Sequence, residues 1–451
     1  PNLDADNKFK TTWESSFASS EAKLTMEDSR EDFKQNKHNA RSAAWLGLKG
    51  LIFVTCVTCF FYQSVQFYMQ YSTYPTKTRI RVHIPKMVKN PAVTFCDRNP
   101  VLRSEFCARY PNFCEKPNDM NKFCQYEPHF CKGNVSNLTI PKFGYFTQNK
   151  REEVEKVAWK LLVNSSGERS PVFKKDDTYL EKITFVYDEE LKTIIKCISS
   201  NLHIGGKSEP VIHPLRAPKG LHYVNEFTLN LEAEELFYPW LTHQVFFAIH
   251  SPLDPINPLH EGRAVKPGYH YSINIRLVEE RFLPHPYQTN CTDYEAVWRR
   301  NNKTGPRSQK MCRDICRKIY SKACCRCENY LTMFEDIETL CSPVERKGYP
   351  YCYCKHWSAL LNHMTECSTN CKEECLKVKY LSTIKESVYE PTPSEAIEWT
   401  SRRRESTVVS VVIRDLEKTI VYHDPLYSHC IVVMNCNGGV PNGHGALIGF
   451  E

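Results

Sequence analysis

One run of 19 residues, Ala44 to Tyr62, carries a single charge and is apolar on all faces. As a helix it rises roughly 28 Å, close to the thickness of a hydrocarbon core. A helix buried in a water-soluble domain is usually shorter or keeps a polar stripe, so the run is expected to cross a membrane. Trp45 stands at one end, and Tyr62, Tyr68, Tyr71 and Tyr74 stand toward the other, where interfacial aromatic belts sit. Lys49 lies about one turn inside and can snorkel to the headgroups. The expected span is 44–71. The segment before it, 1–43, is polar and mixed in charge and holds no secretory leader. With Pro1 at its start, the sequence reads as a fragment or a processed chain.

Composition bounds the remainder. Charged residues make up 25% and the mean hydropathy is −0.49, which excludes a polytopic membrane protein. Aromatics at 12% and hydrophobic residues at 41% supply a core and exclude global disorder. A net charge of +7 over this length is no footprint for nucleic acid. The 22 cysteines fit an oxidising compartment. Both flanks of the span are basic, so the positive-inside rule does not orient it. Twenty cysteines lie beyond the span, as do the Asn-x-Ser/Thr acceptors Asn134, Asn137, Asn164, Asn290 and Asn302. Together they place the N-terminus in the cytosol and residues from about 72 onward outside the cell.

The exterior part divides into zones. Residues 72–100 alternate as extended chain in Thr78–Ile84 and Ala92–Cys96. A first disulfide-rich subregion, 101–135, holds Cys107, Cys114, Cys124 and Cys131. A helical stretch, Arg151–Leu162, and strands around Ile183–Tyr187 follow. Frequent Pro and Gly among β-branched runs make 205–287 mainly β. Residues 291–375 hold twelve cysteines. Cys312 and Cys316 fall one turn apart on one helical face, and Cys367, Cys371 and Cys375 fall on another, so two helices laid side by side could be riveted by disulfides. Thr407–Ile413 reads as a strand returning toward the membrane.

No catalytic constellation is present. Gly206-Lys207-Ser208 resembles the tail of a phosphate loop, but Asn201 stands where its leading glycine belongs. His260-Glu261 opens a zinc-protease pattern that fails at Ala264. Cys324, Cys325 and Cys327 with Cys352 and Cys354 have zinc-like spacing, but in an oxidised exterior they are expected to be structural disulfides. The acidic group Glu335-Asp336-x-Glu338 could sense protons through like-charge repulsion, although a solvated helix face is its commoner role. The chain is read as no enzyme, with no cofactor and no metal.

An ordered set of motifs resembles those of a known family. Pro91-Ala-Val-Thr-Phe-Cys96-Asp-Arg-Asn-Pro-Val101, shortly after a first membrane helix, resembles the segment that opens the extracellular domain of the epithelial sodium channel/degenerin family. Tyr71-Ser-Thr-Tyr74-Pro75-Thr76 resembles that family's exit from its first helix. Ile249-His250-Ser251-Pro252, Val265-Lys-Pro-Gly268 and Arg281-Phe-Leu-Pro-His-Pro-Tyr287 resemble its palm. Cys312-x-x-x-Cys316, Cys325-x-Cys327 and Cys367-x-x-x-Cys371-x-x-x-Cys375 resemble its thumb. The resemblance runs over about 30–428, in order.

It implies an α+β membrane protein with an N-terminal transmembrane helix and a large disulfide-rich extracellular domain of palm, finger and helical thumb. The boundaries are a cytosolic segment 1–43, a first transmembrane helix 44–71 and an extracellular domain 72–428, with the finger at 101–200 and the thumb at 291–375. The implied pairs are Cys96–Cys197, Cys291–Cys375, Cys312–Cys371, Cys316–Cys367, Cys325–Cys352 and Cys327–Cys341; Cys324 and Cys354 are left over and could pair with each other. Tyr71 and Tyr287 would meet at the wrist, where ectodomain movement passes to the helix.

Two departures stand out. The family's cytosolic His-Gly pair, part of its lower-pore gating loop, is His38-Asn39 here, which loses glycine's freedom at φ > 0. Residues 429–451 hold no apolar run near 18 residues and no filter where a second transmembrane helix is expected. They read as divergent sequence after a splice or gene-model boundary, so the second helix is missing. The expected function is a subunit of an amiloride-sensitive-type, ligand- or stimulus-gated sodium channel of the plasma membrane, truncated before the pore helix. Its partners would be Na⁺, the lipid bilayer and family subunits in a homo- or heterotrimer. The alternative is a non-conducting single-pass protein whose ectodomain binds partners as a decoy subunit or receptor.

Overall fold

The period-two pattern of Tyr269–Arg281 marks the strand around which the larger part of the chain is built: Tyr271, Ile273, Ile275, Leu277 and Glu279 are buried, and the residues between them are not. The computed structural model describes residues 6–427 apart from 169, 171, 174–179, 206, 215–221, 329–331, 338, 342–356, 389–405 and 414–416. For 6–37, 213–214, 222–223, 324–325, 357–361 and 363–364 only the backbone is described. The chain divides into two compact units at Pro75/Thr76.

The first unit is helix α1, Asp6–Ser72, continuous over 67 residues. Among the described residues it is the one helix long and apolar enough to cross a membrane, over His38–Ser72. The polar segment before residue 44 is therefore helical too. Thr55 and Thr58 bond back to the carbonyls of Leu51 and Val54 at 2.7 and 2.9 Å, which satisfies both hydroxyls within the helix.

In the second unit, the strands of the two large sheets are, in chain order, β1 (Thr76–His83), β2 (Ala92–Asp97), β3 (Lys182–Asp188), β4 (Thr193–Ser200), β5 (His222–Asn230), β6 (Val245–His250), β7 (Arg263–Val265), β8 (Tyr269–Arg281), β9 (Leu376–Val388), β10 (Ser406–Ile413) and β11 (Lys418–Pro425). One sheet runs β1-β11-β8-β10-β5, with β9 also on β8. Strand β8 pairs antiparallel with β9 along all of its length. On its other edge it meets β10 over its first half and β11 over its second, both parallel. The other sheet runs β7-β6-β2-β4-β3. Phe95 from β2, Phe227 from β5 and Phe247 from β6 join Tyr271 and Ile273 in one core, with the Phe95 and Phe227 rings edge-to-face at 5.0 Å. A second core gathers Phe106, Phe237 and Phe334 around α2, Arg151–Asn164.

The alternation of Thr78–Ile84 does become strand, but β1 buries neither face: Ile80 and Val82 remain 64% and 56% exposed. As an edge strand, β1 takes its order from pairing with β11 over eight residues rather than from a covered apolar face.

Candidate functional site

Helix α3, Gln309–Cys325, begins where the Ser308 hydroxyl accepts from the Met311 amide at 3.2 Å. Cys312 and Cys316, one turn apart on it, are bonded to Cys371 and Cys367 at the end of helix α4, Trp357–Asn370, with Cα separations of 5.7 and 5.8 Å. Below them Cys291 is bonded to Cys375, Cα to Cα 4.9 Å, beside a short backbone ladder between Thr292 and residues Glu373 and Cys375. The Gln309 carboxamide donates to the Cys371 carbonyl at 3.0 Å, which locks the helix start to the last rung. Two disulfides thus tie the helix pair together, and a third, Cys291–Cys375, joins the segments that flank it.

The loop between the helices is closed by Cys327–Cys341. Its apex is stitched to β3: Phe185 and Phe334 exchange two backbone hydrogen bonds, and Lys182 pairs with Glu335. In the sheet, Cys96 and Cys197 join directly opposed positions of β2 and β4. Cys107–Cys114 and Cys124–Cys131 close two local loops. Cys352 and Cys354 lie outside the described residues, as do 429–451, and for Cys324 and Cys325 only the backbone is described.

A second arrangement lies across β1, β11 and β8. Tyr422 stands directly between Arg79 and Arg281 in register. Both guanidiniums face its ring, at 5.0 and 5.4 Å from the centroid. Arg79 is held to Asp424 at 2.7 Å, and Arg281 to Glu279 at 2.7 Å, with Lys418 also on Glu279. One residue on, Phe282 donates its amide to the Cys375 carbonyl at 2.9 Å and stacks on His423 at 4.8 Å. The lowest disulfide rung is thus connected by hydrogen-bonded strands to β1, which follows α1 by three residues. Sequence patterns do not reveal this row. Its only local trace is the basic alternation of β1, which reads equally well as a solvated edge.

Several buried groups titrate unusually. Burial pushes the Asp254 carboxyl up to about 6, with Glu374 adding to the shift. Burial also pushes Asp314 up to about 6. Burial lowers His250 to about 4. Its Nδ1–H faces the Ser251 carbonyl at 3.0 Å, and Nε2 meets the Thr94 hydroxyl at 2.8 Å, as suits a neutral ring. Glu279 behaves in the opposite way. Burial alone would raise it, but Lys418 and Arg281 outweigh burial and hold it below its usual value. Asp254 and Glu374 share a cavity of about 490 Å³ beside Cys375 and Ser308.

The remaining candidates are dispersed. His38 and Asn39 lie exposed within the uninterrupted α1 helix. Tyr71, in its last turn, stacks on Phe67 at 6.4 Å and faces Tyr74 at 6.0 Å. Tyr287 closes a turn onto the Pro284 carbonyl at 3.2 Å. Tyr71 and Tyr287 belong to different units. Asn134, Asn137, Asn164 and Asn302 are exposed; Asn290 is half-buried, its carboxamide oxygen accepting from Lys372 Nζ at 3.1 Å. Among the described residues no cluster of three metal-ligating side chains occurs.

A family model, that of the amiloride-sensitive sodium channel, matches residues 30–440. The chain belongs to this family. Comparison with curated proteins finds no match. Members of the amiloride-sensitive sodium channel family are oligomeric sodium channels of the plasma membrane and not enzymes, so the chain is a membrane protein of sodium transport. Its mixed α+β architecture, its apolar N-terminal helix and the seven disulfides among the described residues of the large unit are consistent with that membership.

Proposed function

We propose that the chain is a subunit of an amiloride-sensitive-type, ligand- or stimulus-gated sodium channel. Its cytosolic segment is 1–43, its first transmembrane helix 44–71 and its extracellular domain 72–428. Within that domain 101–200 is the finger, 291–375 the thumb and the two sheets the palm. Three such subunits, of one or more kinds, surround a pore, and Na⁺ flows when the ectodomain shifts a closed–open equilibrium. The match over 30–440 carries this reading.

The mechanism follows from stiffness. A stimulus that displaces the riveted helix pair moves Cys375, and the strand row through Arg281, Tyr422 and Arg79 passes that movement to β1 and so to the chain entering α1. Tyr71 and Tyr287 form the wrist contact, and His38-Asn39 sits at the lower gate. Cys325–Cys352 completes the thumb loop. The acceptors Asn134, Asn137, Asn164, Asn290 and Asn302 carry glycans on the extracellular side.

The disulfide-rich larger unit also suits a second reading, a non-conducting subunit or receptor that binds partners. Recording from oocytes separates the two. We expect sodium current from the chain, or from a version with a family-type second helix placed after Ser428. If neither conducts while both reach the surface, the binding-module reading stands and the channel reading fails.

A further inference from the structure

The loop that follows β4 joins three polar side chains through hydrogen bonds, a trio that no sequence motif announces. Asn201 takes the left-handed conformation, φ 55°, and its Nδ2 donates to the Asn90 carbonyl at 2.8 Å. Its Oδ1 accepts from the Val211 amide at 2.9 Å and lies 3.0 Å from His203 Nε2. A carboxamide oxygen only accepts, so Nε2 carries the proton of the neutral ring and Nδ1 keeps its lone pair. That lone pair faces the Ser208 hydroxyl at 2.7 Å, and the hydroxyl therefore donates to it. Burial lowers the His203 pKa, and Arg307 and Lys182 lower it further, which keeps the ring neutral at neutral pH. Both ends of the pair are anchored. The His203 amide donates to the Pro252 carbonyl at 2.8 Å, and Arg307 Nη1 donates to the Ser208 carbonyl at 2.9 Å.

A hydroxyl bonded to a neutral imidazole, whose other nitrogen is held by a fixed acceptor, is an activated nucleophile. Ser208 is exposed, so an electrophile can reach its oxygen. Cations stand around it: Arg307 on its carbonyl, Lys303 on the adjacent Glu209 at 2.9 Å, and Lys207 one residue before. They favour a transition state in which an ester or phosphonyl oxygen turns negative. We propose that Ser208 is a reactive serine that accepts an acyl or phosphonyl group from an activated ester or a fluorophosphonate, with His203 as general base and Asn201 as positioning residue. With a fluorophosphonate, the Oγ–P bond forms and fluoride leaves with the P–F electron pair. The hydroxyl proton passes to His203 Nδ1 and from there to water. The product is a covalent adduct, not turnover, and its formation is independent of sodium conduction.

Full-length chain in cell membranes is treated with a biotinylated fluorophosphonate, and the labelled peptides are assigned by mass spectrometry. The expected adduct is on Ser208 and forms at least about ten-fold faster than any on the exposed Ser104 or Ser387. Ser208→Ala abolishes it, and His203→Gln lowers its rate on the order of a hundred-fold. Should His203→Gln disturb the loop, the pH profile of the unaltered chain still tests the base. Its rate is level from about pH 7 to about pH 9 and falls in acid as the ring takes a proton. Asn201→Asp sets a carboxylate on Nε2 and moves that acid limb to higher pH, which a purely structural contact would not do. The proposal is overturned by no adduct on Ser208, by equal labelling of Ser104 and Ser387, by a rate unchanged in His203→Gln, or by a rate that keeps climbing with hydroxide. An acid limb that Asn201→Asp leaves in place overturns the positioning role.

Discussion

Phe185 and Phe334, 149 positions apart, exchange two backbone hydrogen bonds at 2.8 and 2.9 Å, joining the loop between the riveted helices to the edge strand of a sheet. Both rings are buried, at 2% and 4% exposure. The loop that the Cys327–Cys341 bond closes is therefore a docking element, and the disulfide-linked helix pair is attached to the rest of the larger unit through it as well as through its base. Phe334→Ala should cost about 3–5 kcal/mol. Removing Cys327 and Cys341 together should cost about 2–5 kcal/mol. Thermal unfolding of the purified ectodomain measures both, and a loss well under 1 kcal/mol in each would show that the loop is not docked.

Glu279 stabilises the fold through its ionised form. Its folded-state pKa lies below the usual value near 4.5, since Lys418 and Arg281 outweigh its burial. That contribution is present above about pH 4.5 and is lost as pH falls through the depressed folded value. Glu279→Gln leaves two cations facing a neutral amide, so it should destabilise strongly at pH 7, with the gap from the parent narrowing in acid. Denaturant unfolding at several pH values tests this; a gap that stays constant from pH 7 to pH 3 would contradict it.

Asp254 has the opposite sign. Raised from 3.8 to about 6 by burial, it binds a proton more readily folded than unfolded. Its favourable contribution is complete below about pH 4 and lost as pH rises through 6, a change on the order of 3 kcal/mol. Asp254→Asn removes the cost of ionisation, so it should raise the unfolding midpoint at pH 7.5 and leave it nearly unchanged at pH 4. An equal effect at both pH values would show that the gain comes from something other than ionisation.

Much of this framework is local and was legible in the residues. The β-branched runs of 205–287 and the one-turn spacing of Cys312 and Cys316 are patterns of a few residues, and strand and helix lie where they point. What could not be read is what the fold brings together from afar. Nothing near Phe185 announces Phe334, and nothing near Tyr422 announces two arginines, because both contacts depend on long connections closing with one register. Asp254 and Asp314 look like ordinary acidic residues until burial is known. The alternation in β1 marks extended chain, and what it leaves open is the partner: neither face is covered, and pairing with β11 orders the strand.

Glycan acceptors report on which side of the membrane the ectodomain lies. Asn134, Asn137, Asn164 and Asn302 are exposed, while the Asn290 oxygen is engaged by Lys372. Single Asn→Gln changes at the four exposed positions should each remove a glycosidase-sensitive step in gel mobility, and Asn290→Gln should give the smallest change. No glycosidase sensitivity in surface-labelled chain would contradict the extracellular assignment.

The most direct test of sodium-channel function is ion substitution on the chain carrying a family-type second helix after Ser428, at the oocyte surface. The predicted result is a current that reverses where the sodium gradient dictates, vanishes when Na⁺ is replaced by N-methyl-D-glucamine, and is blocked by amiloride. A current indifferent to that replacement, or no current from glycosylated chain present at the surface, would contradict it.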